Sequence, residues 1–485
     1  MTFNSWEFLL FYPIVALLYF VLPKKLKWPM LLIASYYFYM CYQAELVFLI
    51  LATTLISWAA SFIIEKSENQ AVRKICLTLT LLVCLGVLFF YKYFNFLAGS
   101  VTGIITFFGG TPSPVVLNLI LPVGVSFYTF QTLSYVIDVY RGDIKTERNF
   151  FLYALFVSFF PQLVAGPIER PGNLIPQLKE PKSWSGDDAL KGAKHMIVGF
   201  FKKVCVADLL SLYVNAIYND VENATAIGII IATAMFAVQI YCDFSGYTDI
   251  AIGCARIMGI RLMKNFDHPY MSTTIKEFWG RWHISLSSWF KDYLYFPLGG
   301  SRCKKPRHLF NLFVVFLVSG LWHGAAWTYV IWGAIHGVYQ IIGNLTIKSR
   351  NNLLTRVGLS AEHPLVIWVR RIVVFMLVDF AWLFFRANST GDAFALIKTL
   401  FTGWDVGLGE SLEAMGLGIV GILMSVLSIA TLIMIDHVLK YEDKEGGSYI
   451  LTKNGSFIYY VWIIMFAWAI LLSHDMSSTF IYFQF

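Results

Sequence analysis

The sequence predicts an all-α polytopic membrane protein, and three observations carry that prediction. Of its 485 residues, 58% are hydrophobic and only 14% charged, where a soluble chain carries about 25% charged residues. Mean hydropathy is +0.64, with 42 Phe and 15 Trp among the aromatics. Apolar runs of the ~20 residues needed to cross a bilayer recur along the chain. A soluble enzyme, a disordered scaffold and a coiled coil are all excluded.

The apolar runs begin near Phe8, Trp28, Leu46, Cys76, Val115, Phe150, Met196, Ala226, Phe310, Trp327, Leu365, Leu417 and Phe457. They predict roughly eleven to thirteen spanning or re-entrant helices. The longest polar stretches, 166–194, 344–364 and 388–413, are loop-sized and leave no room for a separate soluble domain. No Lys or Arg precedes the first run and no small-residue cleavage site follows it, so 8–22 reads as a membrane helix and not a signal peptide. Lys24, Lys25 and Lys27 come next, then Lys66, Arg73 and Lys74. The cytoplasmic bias of basic loops puts these inside and the N-terminus outside, with the Arg302, Lys304, Lys305 and Arg307 cluster also inside. The expected location is a membrane that borders the cytoplasm.

A net charge of +7 fits this topology and the anionic headgroups it meets. No basic stripe or recognition motif points to nucleic acid. The seven cysteines are scattered, mostly in apolar runs, and form no CxxC pair. They read as free thiols acting as small hydrophobes, with neither a zinc site nor a disulfide framework.

Texture divides the chain into 1–110, 111–390 and 391–485. The first range reads as plain spanning helices. The second brings polar residues into apolar surroundings: Ser126, Tyr128, Gln131, Tyr135, Asp138, Gln162, Glu169, Gln239, Asp243 and Asp249. Such groups are expensive in hydrocarbon and face a protein interior or a wet cavity. Gly and Pro at 122–124, 166–167, 297–300 and 320 suggest broken or re-entrant helices. The third range returns to apolar packing apart from Asp436, His437 and His474. Within 276–296, Lys276, Gly280, His283, Ser287 and Lys291 form one polar stripe beside Phe278, Trp282, Trp289, Phe290 and Tyr293. That pattern predicts one Trp-rich amphipathic helix, either an interfacial anchor or the wall of a groove.

Of nine histidines, His195, His308 and His363 lie beside charged loops and read as solvated, and His437 and His474 sit near helix ends. His323 is different. It stands in GLWHGAAW (320–327) between two apolar runs, with small neighbours that leave room for a reactant. Burial favours its neutral form, able to accept a proton; a structural histidine bonded to a carbonyl is the competing reading. His283 lies on the polar stripe, where a merely wet imidazole is also reasonable. His336 is the nearest third candidate for a metal, but no HxxxH or HxxE spacing occurs. No phosphate-binding GxxxxGK[ST] loop, no His-x4-Asp, no Asp-His-His-Cys run and no Ser-His-Asp triad can be assembled.

Seven ordered blocks carry a family resemblance: LPVGVSFYTF (121–130), FFPQLVAGPI (159–168), YCDFSGYTD (241–249), Asn265-Phe266 with Pro269-Tyr270, EFWGRWHISL (277–286), DYLYFPLGG (292–300) and GLWHGAAW (320–327). With the C-terminal FIYFQF (480–485), the chain resembles the membrane-bound O-acyltransferase superfamily, in its alginate O-acetyltransferase branch. The resemblance implies a ring of helices with cytoplasmic and extracytoplasmic funnels meeting near two histidines. It implies that His323 is the principal catalytic histidine and His283 the second. It further implies an O-acetyltransferase drawing on cytoplasmic acetyl-CoA as donor substrate, with no permanently bound cofactor and no metal. The expected partners are an extracytoplasmic SGNH-type protein and a polysaccharide acceptor: alginate, another exopolysaccharide or peptidoglycan. Lys291, Arg302 and Lys304 are candidates to hold the donor's phosphates, and Gln131, Asp243, Ser245, Trp322 and Trp289 to line the cavity. D-alanyl transfer to teichoic acid from a carrier-protein thioester, and a polytopic transporter or flippase, remain the alternatives.

Overall fold

The computed structural model describes residues 1–113, 115–164 and 166–445, with side chains through residue 435. Among them every regular element is helical. The run from Phe457, His474, the C-terminal FIYFQF and the side chains of Asp436 and His437 lie outside the described residues.

By length and composition, four described helices can cross a membrane: Ala44–Lys66, Gln70–Phe107, Ala226–Ile257 and Trp327–Arg356. Leu408–Ala414 and Ile419–Ile435, bent by 86°, would make a broken fifth. Other apolar runs fold into shorter or more polar helices, such as Phe150–Ser158 and Leu209–Tyr218, most of whose side chains are buried. An apolar run thus encodes either lipid contact or helix-on-helix burial, and hydropathy alone does not separate the two. The apolar window of Gln70–Phe107 is 17% buried and that of Ala226–Ile257 is 67% buried. The first is lipid-facing and the second an interior helix. This is a multi-pass membrane protein.

Packing divides the chain into two compact units: Met1–Met196 with Ile250–Met263, and Ile197–Asp249 with the residues from Lys264 onward. The sequence ranges were drawn on polar texture, a different criterion, so the two divisions do not coincide.

In the first unit the buried polar side chains mend backbone. Helix Phe150–Ser158, capped by Asn149, stops where Phe159 turns to φ −51°, ψ 111°, and Pro161 follows at the start of Phe160–Leu163. The break diverts the Phe160 N–H to Ser35 Oγ, 3.1 Å away. The Phe156 carbonyl, which that N–H would have met in an unbroken helix, accepts instead from Gln131 Nε2 and Gln162 Nε2, each at 2.7 Å. Unmet backbone groups away from water cost several kcal/mol each, so both glutamines have a reason to be there. Gly124, at φ 72°, opens helix Val125–Arg141; a Cβ there would come within 2.5 Å of the Leu163 carbonyl oxygen. Buried Glu169 accepts from the Met263 N–H and from Asn173 Nδ2, the latter at 2.7 Å. Burial raises its pKa above the usual carboxylate range, against the pull of these bonds.

The second unit holds buried charge and a close helix hairpin. The π-turn Phe201–Asp208 puts residues five apart on one face. Lys203 Nζ there lies 2.8 Å from Asp208 and 2.7 Å from Asp243, all three buried. Helices Lys305–His323 and Trp327–Arg356 pack backbone to backbone through small residues, the device that lets membrane helices approach closely. A Cβ on Gly333 would fall 2.5 Å from the Phe316 carbonyl oxygen, and one on Gly320 would strike that of Tyr329.

Candidate active site

The second unit brings the two candidate histidines onto one indole. His323 ends its helix, with Gly324 leaving in extended conformation. Its ring is 5.0 Å from Trp322, 5.0 Å from Trp332 and 5.5 Å from Phe385, each edge to face. His283 meets the same Trp322 ring at 5.8 Å. Both imidazoles are buried, at 2% and 0% exposure.

The single amphipathic helix expected over 276–296 is two helices and a π-turn: Ile275–Arg281, Ile284–Phe290 and Lys291–Tyr295. His283 joins the first two in left-handed conformation, φ 45°, which is rare for a residue with a side chain. That turn rotates the polar stripe apart. Lys276, Gly280 and Lys291 stay exposed, Ser287 is half-buried and His283 goes fully inside, so the wet-imidazole reading fails. The first helix is held by a reciprocal cap: Thr274 Oγ1 accepts the Glu277 N–H at 3.0 Å, and Glu277 accepts the Thr273 N–H at 2.7 Å.

Asn265 wraps the His283 turn. Its carbonyl accepts the Ile284 N–H at 2.8 Å. Its Oδ1 lies 3.1 Å from His283 Nδ1, 3.1 Å from Ser285 N and 2.8 Å from Ser285 Oγ. Phe244 packs edge-on against the imidazole at 4.6 Å. Burial pushes the His283 imidazole down to about 3, because the charged form loses its solvation. It is neutral at physiological pH.

The other sequence candidates fall in different places. Trp322 is the shared wall. Asp243 turns to Lys203, Ser245 is buried on the same helix, and the residue between them, Phe244, is the one that touches His283. Trp289 is buried against Phe290 and Tyr293, at 5.7 and 5.0 Å. Gln131 belongs to the first unit and its amide donates to Phe156. Lys291, Arg302 and Lys304 are exposed. The loop carrying the last two is pinned by buried Asn311, whose Nδ2 donates to the Leu298 and Gly300 carbonyls at 3.1 and 3.2 Å. His336 accepts the Trp279 indole N–H at Nδ1, 3.2 Å, and no cluster of three His, Cys, Asp or Glu able to hold a metal occurs among the described residues. His195 and His308 are half-buried and His363 is exposed. Phe244 and Asn265 escaped notice as site residues, although both stand in the ordered blocks. An apolar ring and a lone amide carry no chemical signature of their own.

The model of the membrane-bound O-acyltransferase family matches residues 143–385, a range that contains Asn265, His283, Trp322 and His323. A probable alginate O-acetylase of Pseudomonas aeruginosa is 38% identical, over 83% of this chain and 75% of its own length. The chain belongs to the membrane-bound O-acyltransferase family. Within it the relatives include the peptidoglycan O-acetyltransferase of Helicobacter pylori, 32% identical over 80% of this chain and 77% of that one. The teichoic acid D-alanyltransferase of Bacillus subtilis is 30% identical over 48% of this chain and 61% of its own length. This member of the family is an acyltransferase of the alginate O-acetylase branch.

Proposed function

We propose that the protein transfers acetyl from cytoplasmic acetyl-CoA, across the bacterial cytoplasmic membrane, to an extracytoplasmic acceptor. The observation that carries this reading is the pair of buried imidazoles on Trp322, inside the region that matches the family. His323 takes the proton of the acceptor hydroxyl as its oxygen attacks the thioester carbonyl. The C–O bond forms, the C–S bond breaks, and the proton passes to the departing thiolate. The C-terminal end of the His323 helix favours positive charge nearby, by about 0.3–1 kcal/mol, and so supports the imidazolium that forms. His283 is the second reacting-site group. Exposed Lys291, Arg302 and Lys304 suit the phosphates of the donor on the inner face.

The acceptor is a polysaccharide hydroxyl, reached directly or through an SGNH-type partner outside the membrane; alginate and peptidoglycan are the polymers named for relatives. The basic loops favour an extracytoplasmic N-terminus. D-alanyl transfer from a carrier-protein thioester is the second reading, favoured by the Bacillus subtilis relative.

The test is donor turnover in vesicles, with labelled acetyl-CoA supplied to the inner face and membrane extract as the source of partner and acceptor. Label on an outer-face acceptor with the wild type, absent with His323→Ala, supports the proposal. Transfer from a D-alanyl carrier alone would replace the donor, and equal turnover by the variant would remove His323 from its role.

A further inference from the structure

We infer that Asn265 is a positioning residue that locks His283 in the tautomer protonated at Nδ1, so that Nε2 meets the reactants as a proton or hydrogen-bond acceptor. The inference rests on the acyl-transfer reading and deepens it, because it decides between two possible tasks for His283. A group that stabilises the developing oxyanion must donate a hydrogen bond. A neutral imidazole held this way cannot donate from Nε2.

The argument runs through the Ser285 backbone. An amide side chain can be turned over, exchanging its oxygen and nitrogen, and only its surroundings decide which is which. Here the Ser285 N–H, an obligatory donor, points at the Asn265 terminal atom from 3.1 Å. That atom must be the oxygen, since an NH2 there would set donor against donor. The Ser285 hydroxyl donates to it at 2.8 Å. His283 Nδ1 faces the same oxygen at 3.1 Å, and a bare Nδ1 lone pair would oppose the oxygen's own. Nδ1 therefore carries the hydrogen, and in a neutral imidazole Nε2 then carries the lone pair. The Ser285 Oγ stands 3.4 Å from Nδ1, farther than it stands from the amide oxygen, so the hydroxyl does not compete for the ring.

The turn keeps these groups in place. The Asn265 carbonyl holds the Ile284 N–H, so one residue grips three consecutive positions, 283 to 285, from 18 to 20 residues away in sequence. Phe244 edge-on at 4.6 Å and Trp322 at 5.8 Å restrict rotation of the imidazole. The left-handed backbone of His283 is the strain this grip sustains.

The experiment combines a direct reading of the tautomer with kinetics. Protein labelled with 15N-histidine is reconstituted in lipid, and the His283 resonances are assigned by their loss in His283→Gln. The expected wild-type spectrum shows Nδ1 protonated and Nε2 bare. Asn265→Leu, which removes the acceptor, should release the tautomer and lower kcat, by a few-fold if the two forms mix and toward about 10⁴-fold if the wrong one is fixed, with KM within about threefold. Because that variant could unfold, Asn265→Asp is the companion. Its carboxylate keeps the acceptor, so the tautomer and most of kcat should survive. The negative charge stabilises the imidazolium and raises the His283 pKa; the bare Nε2 is present only above that pKa, so the acid limb of the rate profile should move to higher pH.

A wild-type Nε2–H tautomer overturns the inference, as does a folded Asn265→Leu protein with unchanged spectrum and kcat. So does an Asn265→Asp protein that is folded but no more active than Asn265→Leu. The spectrum needs no turnover, so failure of acetyl-CoA as donor would count against the proposed function and leave the tautomer assignment standing.

Discussion

Two buried amide arrangements, one in each compact unit, look alike in sequence and do different things. Gln131 and Gln162 converge on the Phe156 carbonyl, which a helix break has deprived of its donor. Asn265 converges on a histidine, a serine and the turn that joins them. An ionisable or polar residue at membrane depth invites a functional reading, and for the first pair that reading is incomplete. What separates repair from chemistry is the group the amide faces: a backbone carbonyl needs only satisfying, whereas an imidazole can turn over a substrate.

The sharpest way to break this comparison is His323→Ala. Turnover should fall by about 10²–10⁴-fold while the protein remains monodisperse and melts within a few degrees of wild type. A large loss of stability instead would make His323 another packing residue. Lys203→Met comes next. It leaves Asp208 and Asp243 facing each other in the interior, and removing one partner of a buried ion pair costs about 3–5 kcal/mol. Thermal unfolding in detergent should show it, and a stable variant would mean that the aspartates already share a proton.

Gln131→Leu should have the opposite signature to His323→Ala. Removing one of two donors on Phe156, with Gln162 still in place, should cost about 0.5–1.5 kcal/mol of stability, with turnover per folded molecule unchanged. A selective loss of kcat would move Gln131 into the site. The most gradual effect is a pH effect. His283 is neutral when folded, with its pKa lowered to about 3 against about 6.5 unfolded. Its folded value is depressed, so the stability tied to its neutral form is complete above about pH 6.5 and is lost progressively as pH falls from there toward about 3. His283→Gln should lose less over the same range. Parallel stability curves for the two proteins would show that His283 does not titrate on unfolding.

Much of the site was legible because ordered blocks, and not isolated residues, carried the resemblance. His323 stood out by its small neighbours between apolar runs and His283 by the polar stripe, and the ordered blocks then gave both their expected roles. The amphipathic stripe around His283 misled, because helical periodicity assumes that the backbone continues, and one left-handed residue reverses which positions face inward. Asp243 drew attention for its charge, yet the adjacent Phe244 makes the contact. The charge of Asp243 is directed to Lys203, which a π-turn presents from elsewhere in the chain.

Composition and hydropathy by themselves determined that this is a helical membrane protein, since solvent preference is a property of each residue summed along the chain. The order of its blocks determined the family. Only the tertiary structure decided that Trp322 stands between two imidazoles, that Gln131 mends a broken helix and that Asn265 grips the His283 turn. Those are relations among groups distant in sequence, and hydrogen bonds and ring contacts act over a few ångströms of space whatever the separation along the chain.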